Sequence, residues 1–278
     1  MLLLRPSTEF QRDVCVHSAF ASLWAYQDED AIKSAMVRVA ADRCTVINDK
    51  ATDTQLYIAG DARSLVVAFR GTSSLRDWLT DAEIKQWSWN IFSCAGSEKL
   101  HAGFAKAFIA VKDQLFAKLI EYRKTNQYVT FTGHSLGGAL AMVAAQWWAE
   151  AGFASGLYTF GQPRVWNSAG ARMFERIAGK FAWRMVHAED VVPRVPWLLG
   201  SYRHAGNEIF FDAWNKPHFN ASTLSKLPSD IYGLCREWKN GKLALLADHS
   251  MERYRDLALS IPVELNQRKD AEMEKETA

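Results

Sequence analysis

Tyr128-Val129-Thr130-Phe131-Thr132-Gly133-His134-Ser135-Leu136-Gly137-Gly138-Ala139-Leu140 is the stretch on which the reading of the chain turns. Its first five residues are alternating aromatic and β-branched types, which predicts a strand. From Ala139 to Ala151 there is no Pro and no Gly, and almost every residue is compatible with a helix. Between the two lies Gly133-His134-Ser135-Leu136-Gly137, a G-x-S-x-G pattern. A Ser held on a sharp strand-to-helix turn leaves little room two positions before it and two after it. Glycine supplies that room because it has no Cβ. The turn also sets the hydroxyl at a helix N-terminus, where backbone N–H groups face a developing negative charge. The pattern alone is weak, and a glycine-rich turn with Ser135 as a helix cap is the plain alternative. The strand before it and the helix after it make Ser135 a candidate nucleophile.

Upstream, Ser64-Leu65-Val66-Val67-Ala68-Phe69-Arg70 is a continuous apolar run, which predicts a buried central strand. Cys44 to Asn48 and Thr54 to Ala59 predict two earlier strands, and Glu9 to Ala31 a helix that continues over Ala31 to Val39. A helix is expected from about Ala105 to Lys124. Downstream, strands are expected at Gly156 to Phe160, Phe181 to His187 and Tyr202 to Phe211, with a helix over Ala169 to Ala178 and a last one near His249 to Leu259. Strands and helices alternate from Ser64 to about Phe211, which predicts a mostly parallel sheet covered on both faces. Leu75, Trp78, Leu79 and Ala82 fall at helical spacing, and Trp87, Trp89, Ile91 and Phe92 follow, so this stretch is either a surface helix or a cover over a site.

A Ser nucleophile needs a base, and the base needs a carboxylate to hold its tautomer. On such a turn the partners follow in the order Ser, acid, His. Asp190 closes the strand ending at His187 and opens a proline-bearing loop; Glu189 is its rival, since a shift of one residue changes which side chain faces the site. Three histidines follow: His204, His218 and His249. His249 stands in a loop at the mouth of the last helix, the placement a proton-shuttling base requires, and is preferred to His204 and His218. An oxyanion hole needs two donors, the N–H of Leu136 and one from the loop after the central strand, where Thr72 offers both an N–H and a hydroxyl. Thr72 as a helix cap is equally plausible and not exclusive of that role.

A length of 278 residues suits one large α/β domain, and 49% hydrophobic content is ample for its core. The net charge of +2, with signs mixed, gives no reason to expect nucleic acid. No stretch reaches the ~18 to 20 apolar residues that span a bilayer. The apolar run in Met1-Leu2-Leu3-Leu4-Arg5-Pro6 is shorter than the ~7 residues of a signal-peptide core. A cytoplasmic location is therefore expected, with a non-classical export route or a trimmed mature chain as the alternative. Cys15, Cys44, Cys94 and Cys235 are widely spaced and read as reduced thiols.

With these residues placed, the chain resembles the class 3 lipases, the fungal-type triacylglycerol lipases of the α/β-hydrolase superfamily. The resemblance rests on Val67 to Thr72 with Asp77 to Asp81, on His101 to Phe104, on Thr132 to Ala139, on Thr159 to Val165, on Val186 to Pro193 and on Tyr202 to Glu208, in that order. It covers roughly Tyr57 to His249. It implies an α/β-hydrolase fold with a mostly parallel central sheet, helices on both faces and a helical lid. It implies a single domain over residues 1–266, the lid at about 73–95, and a charged, frayed tail at 267–278. Ser135 then resembles the nucleophile, Asp190 the acid, His249 the base, and Thr72 with Leu136 the oxyanion hole, while His204 falls at a position that is not catalytic. Trp78, Leu79, Trp87 and Trp89 would be lid or substrate-facing residues. The implied activity is hydrolysis of lipid carboxylic esters through an acyl-enzyme, with no metal or cofactor. Phospholipase A1 or short-chain esterase activity is the nearest alternative, and a non-catalytic membrane-binding module a remote one. The expected partners are a lipid or acyl-ester substrate and, through the lid, a transient lipid interface. Trp166 departs from the family, which commonly has Gly there, and is expected at the site rim; Phe211 to Asp248 matches nothing in it.

Overall fold

The computed structural model describes residues 7–72, 85–89, 97–123, 127–196, 201–221 and 249–263. Ten strands are present among them: β1 (Arg43–Asp49), β2 (Thr54–Gly60), β3 (Ser64–Phe69), β4 (Gln86–Ser88), β5 (Lys99–His101), β6 (Tyr128–His134), β7 (Gly156–Phe160), β8 (Ala182–His187), β9 (Asn207–Phe211) and β10 (Pro217–Phe219). The helices are α1 (Arg12–Trp24), α2 (Glu29–Arg38), α3 (Ala102–Tyr122), α4 (Leu136–Glu150), α5 (Ser168–Ile177) and α6 (Met251–Ser260). Eight strands form one sheet in the order β1-β2-β3-β6-β7-β8-β9-β10, and β4 pairs with β5 beside it. β3, β6, β7, β8 and β9 are mutually parallel, while β1, β2 and β10 run antiparallel at the two edges. This is the α/β-hydrolase fold.

The central strands read as unbroken apolar runs because both of their faces are covered. All six residues of β3 are buried. On one face, α3 turns Phe104, Phe108, Val111, Leu115 and Leu119 inward beside α4, whose residues Gly137 to Trp148 are all buried. A helix apolar all round belongs inside a core. On the other face, Val14, Cys15 and Ala19 of α1 join Tyr254, Leu257 and Ala258 of α6 over β7, β8 and β9. The pairs Phe69↔Gly133, His134↔Phe160, Phe160↔Met185 and His187↔Phe211 align the carboxyl ends of the parallel strands on one edge.

The first helix is shorter than its periodicity suggests. α1 ends at Trp24, and Asp28 starts a separate helix by accepting a 2.8 Å hydrogen bond from the Ala31 N–H. The acidic run Asp28-Glu29-Asp30 is the N-terminal signal that divides the two. The strand expected from Tyr202 begins only at Asn207, and β10 was not expected. Of the four cysteines, Cys15 and Cys44 are free thiols; Cys94 and Cys235 lie outside the described residues. The tail at 267–278 also lies outside them, as do residues 73–84 and 90–95 of the expected lid, Trp78 and Leu79 included.

Candidate active site

Ser135 sits where β6 ends and α4 begins, with φ 59° and ψ −128°. A non-glycine residue rarely holds such backbone angles, and the surroundings must enforce them. A Cβ on Gly133 would lie 2.3 Å from the Gly137 carbonyl, and one on Gly137 would lie 2.3 Å from the Phe69 carbonyl. Both positions are closed to any side chain because backbone meets backbone there. The Ser135 N–H donates to the Phe160 carbonyl at 2.9 Å, which ties the turn to β7. Leu136 is the first residue of α4, so its N–H is among those a helix cannot satisfy by itself. On the other side, a Cβ on Gly71 would lie 2.8 Å from the His134 carbonyl, so the segment carrying Thr72 runs beside the turn. Thr72 is half-buried.

The candidate acid and base come from two later segments. Asp190 follows the carboxyl end of β8, and His249 stands two residues before α6, ahead of the capping Ser250. His249 Nδ1 lies 2.7 Å from Asp190 Oδ2. An ionised carboxylate only accepts, so Nδ1 carries the proton and Nε2 presents a lone pair. The same oxygen accepts from Tyr254 Oη at 2.6 Å, and Oδ1 accepts from the Val192 N–H at 2.8 Å. Tyr254 Oη accepts in turn from the His187 N–H at 3.2 Å. Burial and the facing Asp190 charge raise the Tyr254 phenol well above its ordinary range, so it remains a donor. Gly161, at φ +57°, admits this group: a Cβ there would lie 2.8 Å from both Asp190 Oδ2 and His249 Cε1. Glu189 is buried beside Asp190, but Asp190 makes the bond to the imidazole.

His249 is sandwiched close to the turn. Its ring centroid is 4.5 Å from that of His134, the residue before Ser135. Ser135 Oγ and His249 Nε2 are both buried without a hydrogen-bond partner. The bond joining them is open in this state, and such bonds commonly tighten only around a substrate. The other two histidines are engaged elsewhere: His204 Nε2 with the Pro193 carbonyl at 2.6 Å, His218 Nε2 with Asp212 Oδ2 at 2.9 Å. Among the described residues no group of His, Cys, Asp and Glu is arranged to hold a metal ion.

Two expectations need correction. Trp89, assigned to the lid, is only 5% exposed and belongs to the main core. Its Nε1 donates to Glu150 Oε1 at 2.7 Å, and its ring meets Trp166 edge-on at 5.2 Å. Trp166, expected at the site rim, is fully buried and bridges Leu100 and Arg203 through backbone hydrogen bonds. The strand Gln86–Ser88 is exposed throughout, with Trp87 at 49%, and Trp89 follows just past its end, where the indole packs into the core. Sequence reasoning missed Tyr254 and Tyr26 at the site. Their roles depend on the docking of α6 and α1, which no local spacing announces.

Residues 66–199 match the family described as "Lipase (class 3)". The secreted mono- and diacylglycerol lipase 1 of Fusarium solani is 35% identical over 160 residues, covering 56% of this chain and 47% of that protein. The chain thus spans about half the length of this relative. Two solved structures share the fold. One, described as a triacylglycerol lipase whose catalytic centre is a serine protease triad, has a TM-score of 0.61 and 25% identity over 74% of this chain and 80% of its own. The other, a fungal lipase–inhibitor complex described as a model for interfacial activation, has a TM-score of 0.62 and 26% identity over 72% of this chain and 80% of its own. The cytoplasmic location expected from the first six residues is overturned by the relatives, which are named as secreted. The fold and its motifs do not record a compartment, and residues 1–6 lie outside the described residues.

Proposed function

We infer that the chain, whose residues 66–199 match the class 3 lipase family, is a serine hydrolase of lipid carboxylic esters acting outside the cell. The observation that carries this reading is the 2.7 Å bond between His249 Nδ1 and Asp190 Oδ2 beside the strained turn of Ser135. In the proposed reaction Ser135 Oγ attacks the ester carbonyl carbon while His249 Nε2 takes its proton. Asp190 holds the imidazolium that forms, and the Leu136 N–H with Thr72 receives the oxyanion. Collapse of the tetrahedral species breaks the bond to the alcohol, which leaves with the proton from Nε2. Water then attacks the acyl-enzyme with the same base, releasing the fatty acid and restoring Ser135. Nothing in these steps calls for a metal.

Acylglycerols are the favoured substrates because the relatives are named for them. The proposed cover spans about 73–95 of a single domain, and the buried Trp89 makes a fixed point within its downstream part. Interfacial contact through this cover is supported by the lipase–inhibitor relative, and the half-exposed Trp87 stands at its described end. The test is Ser135→Ala assayed on emulsified acylglycerol, phospholipid vesicles and a soluble medium-chain aryl ester. The variant should lose about 10,000-fold or more of the wild-type rate. Retained hydrolysis sinks the assignment, and preference for phospholipid would move the substrate class while leaving the mechanism standing.

A further inference from the structure

His134 takes no part in the reaction just described, yet its ring lies on the base. The two imidazoles are tilted by 31° with centroids 4.5 Å apart, a near-stacked contact in a site where both residues are buried. His134 Nδ1 lies 2.8 Å from Tyr26 Oη. The Gly71 N–H faces the same phenol oxygen, which leaves the Tyr26 proton for His134 Nδ1. Nε2 is then the protonated nitrogen of His134. It approaches the His249 carbonyl without completing a hydrogen bond. His134 is thus tethered at one end to α1's following turn and packed at its face against the base.

We propose that His134 is a positioning residue, a ring clamped by Tyr26 that holds the His249 imidazole in the plane of Asp190 and aimed at Ser135. This rests on the hydrolase reading above. An imidazole bonded through Nδ1 alone can swing about that bond, and a base displaced by about 1 Å loses much of its rate. Asp190 fixes one edge of the His249 ring, Gly161 admits the side of Cε1, and His134 covers a face. The groups that face the two imidazoles are Asp190, Tyr254 and Tyr26. His134 must also stay neutral, since a second cation at this distance would oppose the imidazolium formed in each turnover. Burial, with the neighbouring His249, holds it well below the ordinary histidine range. A neutral aromatic face against an imidazolium is attractive instead.

The test compares His134→Leu, His134→Phe and Tyr26→Phe in the full chain, with thermal unfolding as the check on folding. Two readouts are taken: kcat and KM on a soluble ester, and the downfield NMR resonance of the His249 Nδ1 proton. His134→Leu fills the space without an aromatic face, and kcat should fall about tenfold with KM within about twofold, a loss in keeping with a misaimed base. Its Nδ1 resonance should broaden. His134→Phe keeps the face and should recover most of the rate and a sharp resonance. Tyr26→Phe removes one hydroxyl, folds without a cavity, and should cost about two- to threefold in kcat. A His134→Leu protein with wild-type kcat and an unchanged Nδ1 resonance overturns the proposal, as does a His134→Phe protein no better than the Leu variant. The NMR readout is independent of turnover: a chain inert toward every ester would end the hydrolase reading, while the effect of His134 on the His249 resonance would still decide this inference.

Discussion

The two halves of the site are held by different means. The candidate nucleophile is held by backbone: Ser135 keeps its unusual φ because Gly133 and Gly137 let β6, α4 and the end of β3 touch. The candidate base is held chiefly through side chains. His249 stands in a turn, and its place is set by Asp190, which Tyr254 and the Val192 N–H aim in turn. A backbone constraint is written in consecutive residues and is coupled to the stability of the sheet. A side-chain constraint is assembled from distant segments and can be lost with the fold intact. The two halves should therefore respond differently to substitution.

The largest separation is expected at Asp190→Asn. The amide keeps the shape but leaves His249 in the wrong tautomer, and kcat should fall by about 10,000-fold. Circular dichroism and unfolding should remain close to wild type. A collapse of stability on the same scale as the rate would erase the distinction. Gly137→Ala should do the reverse. Its Cβ would lie 2.3 Å from the Phe69 carbonyl, a clash of backbone that no rotamer relieves. Destabilisation of about 3 kcal/mol is expected, read as a drop in Tm of roughly 6 to 12 °C. Gly137→Ala with unaltered Tm would mean the turn is looser than its contacts imply. The smallest effect is expected at Tyr254→Phe. The variant keeps the ring in the core but removes one of three donors to Asp190, which should cost about fivefold in kcat. A change there larger than that of Asp190→Asn would transfer the weight of the base-holding network from the carboxylate to the phenol.

The same contrast explains what was legible in the sequence. The turn of Ser135 could be read from five residues because its cause is local steric crowding. The parallel sheet could be read because strands buried on both faces have no polar alternation. Asp190 and Glu189 could not be separated, since the choice depends on how the loop faces, and that is set by the Val192 N–H and by α6. Chain order favoured His249; the structure adds why His204 and His218 are engaged elsewhere, with the Pro193 carbonyl and Asp212. The contact of Tyr26 with His134 joins residues 108 positions apart and has no sequence signature at all. Trp89 was misread for a related reason. It follows a helical stripe in an aromatic-rich segment, but the Glu150 carboxylate that bonds its indole in the core lies 61 residues away.

The position of His249 also has a meaning in time. A ribosome delivers the chain from its N-terminus, so the described strands of the large sheet, with Ser135 and Asp190, emerge before His249 does. The separation of 59 positions from Asp190 to His249 corresponds to about 3 to 12 s at ~5 to 20 residues per second. During that interval the nascent chain carries the proposed nucleophile and acid without the proposed base. α6 packs against α1, and this docking brings His249 to Asp190. The proposed chemistry thus waits on the docking of α6.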